Sequence, residues 1–172
     1  MNTTTPMMTI LALDPGNSQT GYAIISMPEF CLHDFGKVDN ASLLHSITEG
    51  DMMYDLSSLD AVAIEMIDNF GMVVGREVFE TCVWIGRFHQ AADHPNTHYV
   101  YRKEEKEILC GSLRAKDANI RRALIDRYAR HDLKNGKGTK GNPDVFYGVS
   151  KDVWAAIAVG VTYYELTKLD KS

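Results

Sequence analysis

The sequence predicts an α/β domain in which a five-stranded mixed sheet is flanked by helices on both faces. Two apolar runs, residues 9–14 and 60–67, are typical of strands buried on both sides. Closely spaced β-rich segments open the chain, as in an antiparallel meander, whereas the later strands alternate with helical segments. The 172 residues suit a single domain spanning 1–172, and we expect residues 1–8 to form a flexible tail.

The meander is predicted from three segments. Residues 9–14 (TILALD) run into an Asp-Pro-Gly turn, which ends the first strand. Residues 21–26 (GYAIIS) follow after a few residues, and residues 30–38 form the third strand beyond Pro28.

The rest of the chain is predicted to alternate between helices and parallel strands. Residues 60–67 (DAVAIEMI) and 98–102 (HYVYR) complete the sheet. A Gly- and Lys-rich stretch, residues 134–143, reads as a mobile loop. The predicted helices cover residues 41–49, 76–92, 103–109, 117–130 and 150–169.

The charge of the chain is distributed unevenly. The formal net charge of −5 taken alone argues against a nucleic-acid partner. Residues 1–100, however, hold three bases and thirteen acids, whereas residues 102–140 hold twelve bases and six acids. The basic stretch fits either a solvated helix surface or a site for a polyanion.

Other classes are disfavoured by composition. No run of about 18 apolar residues is present, and the first ten residues do not resemble a secretory signal. The three cysteines show no CxxC spacing, which favours a reducing compartment. We therefore expect a cytoplasmic protein without a membrane partner.

Three carboxylates occupy positions where water is scarce. Asp14 ends the first strand, Glu65 lies in the fourth, and Asp152 lies in the first turn of an otherwise apolar helix. Asp14 also suits a turn and Asp152 a helix N-terminus, but Glu is rare in buried strands. If the three converge, they repel one another unless divalent cations are bound, and an oxygen-only site suits two Mg²⁺ or Mn²⁺ ions.

These residues resemble the RuvC-type Holliday junction resolvases of the RNase H-like superfamily, in particular the phage and prophage branch. LALDPG (11–16), AIE (63–65) and SKDVWAAIA (150–158) are similar to the family's three acidic motifs. The resemblance implies a metal-dependent endonuclease that cuts branched DNA as a homodimer in phage recombination, replication or packaging. It covers most of the chain.

One position departs from the family pattern. The family places two acids, or His and Asp, three residues apart on the last helix, and here Ala155 stands at the second position. The missing acid leaves three possibilities: weaker binding of one metal, a substitute ligand such as Asp144 or Asp68, or a protein that binds junctions without cutting them. We favour retained activity with Asp14, Glu65 and Asp152 as catalytic metal ligands.

Candidate DNA-binding residues follow from charge and from the resemblance. Phe70 suits a base-stacking wedge, although a core position fits equally well. The basic candidates are either phosphate-binding or solvated surface residues: Arg114, Lys116, Arg121, Arg122, Lys137 and Lys140.

The predicted helix at 76–92 is the candidate dimer interface. Gly86 inside this helix costs about 1 kcal/mol relative to Ala, which suggests close packing against another helix. Packing within one chain is the alternative. The interface candidates are Gly75, Trp84, Gly86 and Phe88.

Two further function classes stay open. A non-catalytic junction-binding protein is suggested by Ala155. The DPGNSQTG turn (14–21) also fits an actin- or Hsp70-like ATPase domain, but the chain is too short for a second lobe, so we expect no nucleotide cofactor.

Overall fold

The computed structural model describes residues 6–52, 54–68 and 71–170 and confirms the predicted fold class. Five strands form one mixed sheet: β1 (Met8–Pro15), β2 (Gln19–Met27), β3 (Cys31–Asp39), β4 (Ala61–Met66) and β5 (Thr97–Tyr101). The order across the sheet is β3-β2-β1-β4-β5. The first three strands are antiparallel neighbours, and β4 and β5 run parallel to β1.

Five α-helices accompany the sheet in the described ranges. Their bounds, like those of the five sheet strands, agree with the predicted ones to within two residues. No helix there combines the length and hydrophobicity that a bilayer crossing needs. The helices are α1 (Asn40–Glu49), α2 (Arg76–Ala92), α3 (Arg102–Cys110), α4 (Asp117–Tyr128) and α5 (Lys151–Leu169).

The alternation of side chains along β1 builds two hydrophobic cores. Ile10 and Ala12 face the layer formed by α3, α4 and α5, whereas Leu11 and Leu13 face α1 and α2. All four side chains are fully buried. The apolar run of β1 therefore reflects helices on both faces of the sheet.

The loop predicted at residues 134–143 contains a short hairpin, which was not predicted from the sequence; its predicted mobility stays a prediction. Two short strands, β6 (Gly138–Thr139) and β7 (Asn142–Pro143), pair in antiparallel fashion. A carboxylate oxygen of Asp132 accepts the backbone N–H groups of Lys137 and Gly138 at 3.2 and 2.9 Å. Gly136, at φ 70°, lies against the buried ring of Phe146, which leaves no room for a side chain.

Candidate active site

Three of the predicted carboxylates lie at one edge of the sheet. β1 and β4 pair in parallel up to Leu13 and Ile64, so the next residues, Asp14 and Glu65, are neighbours. Asp152 reaches the same edge from the first turn of α5. The three side chains line a single cleft of about 770 Å³.

Gly21 brings Asp152 to Asp14. It pairs with Asp14 across the β1–β2 ladder, and the start of α5 lies directly above it. A Cβ atom at position 21 would lie 2.5 Å from the carbonyl oxygen of Asp152, closer than real Cβ atoms come. Only glycine therefore permits this approach of helix to strand.

Burial and the neighbouring carboxylates disfavour the ionisation of Asp14. Burial, a hydrogen bond with Glu65 and the charges of Glu65, Glu105 and Asp152 raise the pKa of Asp14 to about 10. Asp152 instead has a cationic neighbour, since its Oδ2 lies 3.0 Å from Nζ of Lys37. The cluster is thus partly neutralised by a shared proton and by a lysine.

A fourth acid of this cluster, Glu105, was missed in the sequence. It lies in the first turn of α3 and is fully buried, and burial followed by the charge of Glu65 raises its pKa to about 8. Arg102 opposes this shift because its Nη1 bonds Oε2 of Glu105, while its Nη2 bonds Asp117. The run RKEEKE (102–107) gives no sign of which acid is buried.

The donor chemistry of the cleft fits a hard divalent cation. Carboxylate oxygens are the ligands that Mg²⁺ and Mn²⁺ prefer, and the pKa values of Asp14 and Glu105 are raised by burial and then by the charges of neighbouring acids. Among the described residues, no three His, Cys, Asp or Glu side chains stand arranged as ligands of one ion. Asp152 contacts Lys37 instead, so binding requires exchange of that lysine for the cation.

The two substitutes considered for the absent acid do not reach the cleft. Ala155 itself lines it. Asp144 accepts the backbone N–H groups of four residues, and its pKa is held well below the usual range despite desolvation. Asp68 pairs with Lys103 at 3.0 Å.

Basic side chains surround the acidic floor. Of the predicted DNA-binding residues, Arg121, Arg122 and Lys137 line the cleft, whereas Arg114, Lys116 and Lys140 are exposed outside its lining. Phe70 lies outside the described residues. The bases that line the cleft but escaped prediction are Arg102, Lys134 and Lys151.

Two cleft arginines are held in place differently. The guanidinium of Arg121 lies 5.0 Å from the ring centroid of Trp154 and keeps its donors available. Arg122 pairs with Asp126 and donates to the carbonyl oxygens of Leu133 and Lys134. Arg122 therefore ties α4 to the start of the hairpin, a structural role that sequence reasoning did not suggest.

The predicted interface residues of α2 divide between surface and core. Gly75 and Gly86 are exposed with open space around them, and Trp84 is half-buried beneath Arg87. Phe88 is fully buried within the chain, which is the alternative considered above. Two residues not predicted, Phe79 and Val83, are each 61% exposed on the turns preceding Gly86.

The fold is shared with solved Holliday junction resolvases. The sequence matches no protein-family model and no curated protein. The structure matches RuvC of Thermus thermophilus in complex with Holliday junction substrate, with a TM-score of 0.69 and 14% identity over 95% of this chain and 96% of that one. It also matches the Fowlpox virus resolvase in complex with Holliday junction DNA, with a TM-score of 0.51 and 18% identity over 93% and 99%. The chain thus has the RNase H-like fold of RuvC and the poxvirus resolvase, as the sequence motifs predicted.

Proposed function

We propose that this protein is a metal-dependent endonuclease that resolves Holliday junctions and other branched DNA. The observation that carries the proposal is the convergence of Asp14, Glu65 and Asp152, from three separate elements, on one cleft with basic walls. The shared fold and the sequence resemblance support the same activity.

Asp14, Glu65 and Asp152 would hold one or two Mg²⁺ or Mn²⁺ ions. Cations bound there supply an activated water and charge stabilisation for the leaving oxygen of a phosphodiester. The residues themselves provide hard oxygen donors at a fixed edge of the sheet, and Gly21 keeps the helix-borne ligand close to the strand-borne pair. Asp14 and Glu105 lose their protons as positive charge enters the cleft.

The walls of the cleft would bind the DNA backbone. Arg121, Lys134, Lys137 and Lys151 present positive charge along the same opening as the carboxylates. Phosphates that contact these side chains would be placed over the acidic floor. Because the whole chain carries a net charge of −5, we expect modest affinity for linear duplex and selectivity through the shape of the junction.

The proposal includes a homodimer formed through α2. Phe79, Val83 and Gly86 follow a spacing of four and three residues, which places them on one exposed face of the helix. A two-fold pairing of this face would place two active sites on one junction, so that symmetric strands are cut. This assembly fits a role in phage DNA recombination, replication or packaging, which the resemblance of the motifs suggests.

A junction-binding protein without cleavage is the second candidate. It is favoured by Ala155, which lines the cleft where the family has an acid, and by the ion pair that engages Asp152. Both candidates predict junction binding that weakens with salt by about 0.9 log units per phosphate contact per decade.

Cleavage assays separate the two candidates. Labelled four-way junction and linear duplex of the same sequence are incubated with wild-type protein and Asp14→Asn, in EDTA, Mg²⁺ or Mn²⁺. We expect paired nicks in the four-way junction only when wild-type protein and Mg²⁺ or Mn²⁺ are both present. Junction binding without product would support the second candidate, and cleavage that survives Asp14→Asn would refute the assigned site.

A further inference from the structure

Glu105 is a buried acid whose charge the protein satisfies only in part. The described residues contain two carboxylates in the buried class, Glu105 with no exposed surface and Asp144 with 6%. A buried carboxylate is stable only when its oxygens are paired or neutralised. Each oxygen of these two buried carboxylates therefore needs a hydrogen-bond partner or a neutralising charge.

The partners of the two buried acids differ. Both oxygens of Asp144 accept backbone N–H groups at 2.7–3.1 Å. In Glu105, Oε2 accepts from Arg102, but Oε1 has no hydrogen-bond partner among the described residues. Within the described part of the chain, one side of the Glu105 carboxylate is thus left without a partner.

The fold places Glu105 near the acidic edge of the sheet. β4 and β5 are parallel, with Glu65 paired to Val100 and Met66 to Tyr101. The helix α3 begins at the next residue, so its first turn rises beside the strand end that carries Glu65. After burial, the charge of Glu65 raises the pKa of Glu105, and the charges of both acids raise the pKa of Asp14.

We propose that Glu105 is the fourth acid of the metal site and replaces the one absent at Ala155. This inference rests on the proposed function. Ala155 lines the cleft and offers no oxygen, whereas Glu105 is bonded to Arg102, which also lines the cleft, and has an unpaired oxygen for a cation held by Asp14 and Glu65, directly or through a bound water. Arg102 holds the carboxylate in place through the other oxygen.

The test measures Mn²⁺ binding to the purified full chain, by electron paramagnetic resonance of the free ion, without DNA or turnover. Glu105→Gln keeps a hydrogen bond to Arg102 and removes the charge, whereas Glu107→Gln removes an exposed charge from the same helix. We expect Glu105→Gln to weaken Mn²⁺ binding about 10-fold or more and Glu107→Gln to change it less than about twofold.

Two results would overturn the inference. One is wild-type Mn²⁺ affinity in Glu105→Gln. The other is equal weakening in Glu105→Gln and Glu107→Gln, which would show that any acid of α3 acts on the cation by its general charge and that Glu105 is not a ligand. Absence of Mn²⁺ binding to the wild type would refute the proposed function itself, whereas binding lost in Asp14→Asn but kept in Glu105→Gln refutes this inference alone.

A second variant covers the case in which Glu105→Gln does not fold, as judged by circular dichroism. Glu105→Asp retains the charge and withdraws it from the cluster by one methylene. Weaker Mn²⁺ binding in Glu105→Asp supports the inference, and unchanged binding refutes it.

Discussion

Asp144 and Asp14 carry the same side chain in two regions of opposite character. Around Asp144, at the base of the hairpin, four backbone N–H groups stabilise the ionised carboxylate and hold its pKa well below the usual range. Around Asp14, burial and three neighbouring acids raise the pKa to about 10. The first carboxylate has all its hydrogen bonds within the fold, whereas the second belongs to a cluster of acids for which we propose a bound cation.

The largest expected effect is the loss of junction cleavage when Asp14 is replaced. Asp14→Asn should reduce metal-dependent junction cleavage on the order of 10³-fold, because a ligand charge is lost from the reacting centre. The metal-free protein should gain about 1 kcal/mol in free energy of unfolding, because Asn needs no proton to occupy the cleft. Cleavage rates and urea unfolding in EDTA measure the two effects. A variant that is both inactive and strongly destabilised would show that Asp14 is structural.

The same substitution at the other region should act in the opposite way. Asp144→Asn places an amide N–H against backbone N–H donors, so we expect a loss of about 2–3 kcal/mol in free energy of unfolding. Asp126→Asn, in an exposed pair with Arg122, is the control and should cost less than about 0.5 kcal/mol. Urea denaturation measures both. Equal stability of the two variants would mean that the Asp144 hydrogen bonds contribute nothing.

The contrast also explains what could be predicted from the sequence. Asp14 and Glu65 were found because apolar runs end at or contain them, and the parallel pairing of such runs brings the acids together. Glu105 was not found, because which acid of the charged helix α3 is buried depends on how α5 packs against that helix. The hairpin was missed for a similar reason: its polar residues give no sign that the Asp132 carboxylate binds its backbone.

The two regions should respond differently to pH in the metal-free protein. The folded-state pKa of Asp14, about 10, exceeds its usual 3.8, so between these values the folded state holds a proton that the unfolded state has released. Stability should therefore fall as pH rises from 6 to 9, by about 1 kcal/mol per pH unit. The lowered pKa of Asp144 means that its ionised carboxylate stabilises the fold above pH 3.8. This contribution to stability does not change between pH 6 and 9.

Urea unfolding in EDTA at pH 6, 7.5 and 9 measures this slope. Asp14→Asn should reduce the slope and leave the part that Glu105, with a pKa of about 8, contributes below pH 8, whereas Asp144→Asn should shift the whole curve downward and leave the slope intact. A wild-type curve that is flat or rises between pH 6 and 9 would contradict the assignment of a protonated acid to the cleft.

The smallest effect concerns the lysine that engages the cleft. Lys37 and Asp152 are each about 40% exposed, and Lys37→Met frees Asp152 for a cation, so Mn²⁺ should bind about two- to threefold more tightly. Lys103→Met removes a lysine at the same distance from Asp68, away from the cleft lining, and should leave Mn²⁺ affinity unchanged. Calorimetric titration of both variants with Mn²⁺ makes the comparison. If Lys37→Met bound Mn²⁺ no better than Lys103→Met, Lys37 would not compete with metal for Asp152, and the ion pair would be a surface contact like the one at Asp68.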